Sequence, residues 1–148
     1  MKLPSTSTPE QGFTLIEMLL VIGLFSLIAG LGVFFGVDYY QRSALAAERD
    51  LLVSALQNAR AQSLSNLNGA AHGVYLANNS LIIFEGQNYA SATDIEALPN
   101  NPGITHTGPS EITFDALNAK TNFDGQITLS NTVKNLVINV NHEGGLEW

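Results

Sequence analysis

The chain has 148 residues, with six Lys and Arg set against thirteen Asp and Glu for a formal charge of -7. That length leaves room for one modest globular domain plus a long element, and the acidity argues against a surface built to neutralise nucleic-acid phosphates. With no cysteine, neither disulfides nor thiolate metal sites can hold the fold, and the redox compartment is not legible.

The apolar excess is concentrated near the start. From Met18 to Val37 there are twenty residues without a charge, and a helix of that length spans about 30 Å, enough to cross a bilayer. An ordinary secretory signal peptide would have a basic front, a shorter apolar stretch and a small-residue cleavage site behind it. Here Lys2 is the only basic residue in front, although Ala29-Gly30-Leu31 and Ala44-Leu45-Ala46 imitate such sites. A carboxylate, Glu17, stands just inside the apolar run. At mid-bilayer it would cost about 2.5 to 3.5 kcal/mol on insertion scales, so it needs a specific partner or a place at the membrane edge, where it could snorkel to the headgroups.

The stretch Gly12-Phe13-Thr14-Leu15-Ile16-Glu17-Met18-Leu19-Leu20-Val21-Ile22-Gly23 resembles the processing and methylation motif of type IV prepilins and pseudopilins. The resemblance implies that a prepilin peptidase cuts after Gly12 and methylates the new amino terminus at Phe13. It also implies that Glu17 pairs with the N-terminal ammonium of a neighbouring subunit during assembly. The physics agrees: the new ammonium lies about one helical turn from Glu17, and between packed subunits each charge offsets the desolvation of the other. A Gly before the cut removes any side-chain clash with a protease cleft. Two features depart from the family: the leader is poor in Lys and Arg, and Phe34 stands where many relatives have Pro. Without that proline, Gly30, Gly32 and Gly36 have two open readings, as hinge points or as positions for close helix packing.

From Asp38 to Asn66 the sequence is polar but still helical, with Leu45, Leu52, Leu56 and Ala59 along one face. No proline interrupts Phe13 to Asn66, which predicts one helix of about 80 Å stopped by Asn68-Gly69. Tyr39 and Tyr40, just past the apolar block, suit a membrane interface. Beyond Gly69 the pattern turns to β. Val74 to Leu76 and Leu81 to Phe84 flank an Asn78-Asn79-Ser80 turn and predict a hairpin. A long loop is expected from Gly86 to Pro109, with a short strand around Ile104. Further strands are expected at Glu111 to Asp115, Gln126 to Ser130, Asn135 to Val140 and Gly145 to Trp148, with turns at Asp124-Gly125 and Asn141 to Gly144. Trp148 is expected to pack against the sheet. The expected fold is α+β: a long N-terminal helix packed against an antiparallel sheet head, pilin-like.

The C-terminal order, with Ile112 to Asp115, Gly125 to Leu129 and Val137 to Val140, resembles the GspH/FimT family of minor pseudopilins and minor pilins. The organisation then divides into a leader at 1–12, a transmembrane or filament-core helix at 13–37, its amphipathic continuation at 38–68 and a β-rich head at 69–148.

Little points to catalysis. His72, His106 and His142 are dispersed, without metal-ligand spacing. The oxygens of Asp115, Asn118, Asn122 and Asp124 do not match a calcium loop and predict a solvated turn. G-x-S-x-G, P-loop and G-x-G-x-x-G motifs are all absent. No cofactor or metal is expected, and the chain would be the peptidase's substrate, not an enzyme. The leading expectation is a structural minor pilin or pseudopilin of a type IV pilus or type II secretion pseudopilus. Its partners would be prepilin peptidase, other pilin subunits, an inner-membrane assembly platform and lipid, with the head on the extracytoplasmic side of the inner membrane. Two alternatives stand: a DNA-uptake minor pilin, and a plain single-span anchored protein. Charge counts against DNA, because beyond Asn68 only Lys120 and Lys134 oppose eight carboxylates.

Overall fold

The computed structural model describes residues 12–148, except the side chains of 33–35. It shows an α+β fold, one long helix followed by two antiparallel sheets in a pilin-like arrangement. The expected leader, apart from Gly12, lies outside the described residues.

Helix α1 runs Leu15–Leu64, fifty residues, and Gly30, Gly32 and Gly36 all lie inside it. Thr14 caps its start: the Glu17 backbone N–H donates to Thr14 Oγ1 at 3.3 Å, and the Met18 N–H to the Thr14 carbonyl at 3.2 Å. Thr14-x-x-Glu17 has the sequence form of a capping box, of which the Thr half is made here. The helix stops because Asn66 takes a left-handed conformation, φ 53°, after which Leu67–Gly69 form a short 3-10 turn. The expected Asn68-Gly69 stop therefore lies just beyond the real one. Asn tolerates this conformation better than other side chains do, so two asparagines share the work usually given to a single Gly.

Two units are distinguishable, the segment up to Val37 and Asp38–Trp148. In the first, every described side chain is exposed, and its helix is long and apolar enough to cross a membrane by length and composition. One polar group there is already satisfied, since Ser26 Oγ donates to the Ile22 carbonyl at 2.8 Å.

In the second unit the predicted stripe is the floor of the core. Leu45, Leu52, Leu56 and Ala59 are all buried, joined by Val53 and Ala55. Strands β1 (His72–Leu76), β2 (Ser80–Glu85), β3 (Asp94–Pro99) and β5 (Glu111–Phe114) form one sheet in the order β3-β2-β1-β5. Strands β4 (Thr105–Thr107), β6 (Gly125–Ser130), β7 (Asn135–Val140) and β8 (Leu146–Glu147) form the other in the order β4-β6-β7-β8. All neighbouring strands are antiparallel. Val74, Leu81, Ile83, Ile112 and Phe114 of the first sheet meet Ile127, Leu129, Ile138 and Val140 of the second in a single cluster with the helix stripe.

The head thus has two sheets where one was expected, because alternation tells which face of a strand is buried and not which strand it pairs with. The expected long loop is corrected in part: the short strand foreseen around Ile104 is β4, but the segment also contains β3 and a 3-10 turn at Tyr89–Ser91. β3 is an edge strand, Asp-Ile-Glu-Ala-Leu-Pro, almost wholly exposed. An acidic strand ending in Pro suits an edge and lacks the apolar signal of an interior strand. Tyr89 stacks on Tyr75 with ring centroids 4.2 Å apart and meets Phe84 edge-on at 6.0 Å, so this loop covers the first sheet's outer face. Gly73 makes the room, since a Cβ there would lie 2.5 Å from the Phe84 ring and 2.6 Å from the Ile112 carbonyl. Trp148, expected to pack on the sheet, is more than half exposed. β8 is only two residues long, too short to carry the chain end inward.

Leu56 is fully buried in the cluster that the helix shares with both sheets. Leu56→Ala is therefore expected to lower stability by about 2–5 kcal/mol through lost burial and a residual cavity, read as a shifted denaturation midpoint of the detergent-solubilised chain.

Candidate assembly segment and the polar anchors of the head

The candidate site begins where α1 begins. Gly12 and Phe13 precede the helix in non-helical backbone, and both are exposed. Among the described residues, a Cβ at Gly12 would meet nothing within 4 Å. Glu17 lies in the first turn, where a carboxylate complements the partial positive charge of the helix N-terminus. Around it Phe13, Leu15, Ile16, Met18, Leu19 and Leu20 are all more than half exposed. Contiguous apolar surface of this kind marks a membrane or protein contact. The segment therefore offers an accessible Gly-Phe bond, a carboxylate four residues on and an apolar surface that needs cover.

Sequence reasoning did not single out Thr14, although Thr followed three residues later by Glu ahead of an apolar run is the readable signal of a capping box. It also passed over Glu48, whose signal is its place on the apolar stripe between Leu45 and Leu52. Glu48 is buried. Its Oε2 accepts from the Asn101 backbone N–H at 3.0 Å, and its Oε1 lies 3.1 Å from His106 Nε2. One carboxylate thereby pins the connection between β3 and β4 to α1. Ser63 is a second anchor: its hydroxyl donates to the Phe114 carbonyl at 2.9 Å and accepts from the His72 N–H at 2.9 Å. Its own carbonyl accepts from Leu117 N–H at 2.9 Å. Helix, β1 and the end of β5 are tied through one small side chain, and the segment after β5 through the same residue's carbonyl.

The histidines stay apart in function. His106 serves Glu48, His72 Nε2 stands 3.7 Å from Glu85 Oε2, and His142 is exposed. No group of three or more His, Cys, Asp or Glu able to hold a metal occurs among the described residues. In the Asp115–Asp124 turn, Asn118 Oδ1 accepts from Lys120 N–H at 2.8 Å and Asn122 Oδ1 from Thr113 N–H at 3.0 Å. Those oxygens shape the backbone. Tyr39 and Tyr40 are exposed.

The comparisons with known proteins bear on the first of these sites. Residues 8–33 match the family model of the prokaryotic N-terminal methylation motif, a window that holds Gly12, Phe13 and Glu17. The match supports a type IV pilin-like protein with a membrane-anchoring N-terminal helix. A motif of this kind suggests a structural protein rather than an enzyme, one processed by prepilin peptidase and assembled with other pilins. No curated protein and no solved structure matches the chain.

Two outcomes follow from the anchors. Glu48→Ala leaves the Asn101 N–H and His106 without their acceptor and should cost about 1–3 kcal/mol. Faster hydrogen exchange at Asn101 would localise the loss. The Glu85 carboxyl is held below its usual 4.5, first by the hydrogen bond from the Asn68 side chain, against which burial works, then by Thr93 and by the charge of His72. A depressed folded-state value means that Glu85 stabilises the fold above the ordinary carboxylate range. That contribution is lost as pH falls through the folded-state value. Asn68→Ala should move the Glu85 titration upward toward 4.5, as followed by carboxyl NMR.

Proposed function

We propose that this chain is a minor pilin or pseudopilin, cut after Gly12, methylated at Phe13 and docked through Glu17 into a type IV pilus or a type II secretion pseudopilus. The observation that carries the reading is the methylation motif at residues 8–33 standing at the head of an apolar helix whose described side chains are all exposed as far as Val37. Lipid covers that surface before assembly and neighbouring helices cover it afterwards. The resemblance of the last strands to the GspH/FimT family supports a minor subunit. The head then lies on the extracytoplasmic side of the inner membrane, and the assembly platform is a partner. The domains follow: a leader at 1–12, a core helix at 13–37, its amphipathic continuation at 38–68 and a head at 69–148.

The capping geometry adds a physical point. A cut after Gly12 keeps Thr14 in the mature chain, so the cap on α1 survives processing. The new ammonium of Phe13 arises beside a helix already closed by its own side chain. Methylation retains that charge while adding apolar surface, so pairing with a neighbour's Glu17 persists. The acidic head disfavours nucleic acid as a partner.

Intact mass and N-terminal sequence of the chain, expressed with and without a prepilin peptidase, test the assignment. The expected product starts at methylated Phe13. A full-length chain persisting beside an active peptidase would sink the reading and favour a plain anchored protein. Glu17→Ala should then lower incorporation into sheared filaments by about tenfold, the scale of one lost 1.4 kcal/mol pairing, with membrane insertion unchanged. Equal incorporation of both forms would remove the role given to Glu17.

A further inference from the structure

Arg60 lies near the C-terminal end of α1, and its Nε is buried without a hydrogen-bond partner. Gly144 accounts for the burial. It sits at φ +75°, and a Cβ there would reach 3.1 Å from Arg60 Nε while colliding with the Ala119 carbonyl. The turn before β8 therefore lies directly against the guanidinium. None of the ion pairs among the described residues includes Arg60. Beside it opens a cleft of about 300 Å³ bordered by Gln57, Leu64, Leu146 and Trp148, in which Arg60 carries the one charged side chain. Leu64 is 44% exposed and Trp148 56%, both large apolar groups left in water around a single cation.

We propose that this cleft binds a carboxylate carried on an aliphatic segment of a partner protein, with Arg60 donating to the carboxylate and Leu64, Leu146 and Trp148 covering the flanking side chains. The charge decides the class of partner. Arg60 is the one charged side chain lining the cleft of a chain of formal charge -7, so one acidic side chain can be matched there, whereas the repeated phosphates of a nucleic acid would meet the chain's excess of carboxylates. The planar guanidinium suits a carboxylate through paired N–H donors. Trp and Arg ringed by aliphatic groups is also the composition of an interface hot spot. The volume is at the small end for a ligand pocket, suited to a side chain and its neighbours rather than to a cofactor.

Trp148 is the sole tryptophan, so its emission reports on the cleft directly. The test uses the full chain in detergent micelles and a capped tetrapeptide, Ile-Glu-Leu-Leu, beside its Gln counterpart. The expected result is a saturable change in Trp148 emission with the Glu peptide and binding about tenfold weaker with the Gln peptide. Arg60→Gln should abolish the response. Because that variant touches a packed guanidinium, its far-UV circular dichroism must match that of the parent chain. Leu64→Asn, at an exposed rim position, should weaken binding severalfold in an undisturbed fold. No saturable response, equal binding of the two peptides, or unchanged binding to a folded Arg60→Gln chain would overturn the proposal. So would a duplex oligonucleotide displacing the peptide at lower concentration. The cleft belongs to an anchored monomer as much as to a filament subunit, so failure of cleavage at Gly12 and failure of peptide binding are separate results.

Discussion

The head depends on one stripe of small and branched aliphatic side chains on α1. Leu45, Leu52, Leu56 and Ala59 supply a surface that joins both sheets in one cluster. Burying one Leu contributes about 1.5–3 kcal/mol, so three leucines on one helix face rival the net stability of a small domain. Ala59 lets the backbone of α1 come close. Its neighbour at the next turn, Ser63, uses that closeness to reach the backbone of β1 and of Phe114.

That stripe also explains where the buried polar groups fall. A helix face covered by two sheets leaves seams at its ends, and there the backbone of irregular connections needs partners. Glu48 answers at one seam by receiving the Asn101 N–H, and Ser63 at the other by bonding to His72 and Phe114. Glu48 replaces water for a connection outside the ladders, and Ser63 does so where β1 begins and β5 ends. Their energetic worth is modest per bond, but leaving the partners unmade would be costly.

The two units described by α1 obey different solvents. Up to Val37 the described side chains are apolar almost throughout and exposed, a surface suited to lipid or to other helices. From Asp38 the helix carries its apolar groups on one side, which is what a water-facing head requires. A pilin-like reading needs both, since the same helix has to anchor a subunit and floor its head. Glu17 is the exception in the apolar half, and its place in the first turn gives it a helix dipole at once and a neighbour's ammonium in the proposed assembly.

The sequence by itself determined the long helix, its apolar first half, the buried stripe and the approximate place of most strands. These follow from local periodicity and composition, which need no partner to be read: a run of uncharged residues is apolar in any fold. The Gly12, Phe13 and Glu17 motif was legible for the same reason, being contiguous. Only the tertiary structure decided that the strands divide into two sheets, that acidic Asp94–Pro99 pairs with β2, and that Trp148 stays in water beside Arg60. Strand pairing, edge placement and the company kept by Glu48 or Arg60 depend on residues dozens of positions away. A periodic pattern says which face is buried, and packing alone chooses what it is buried against.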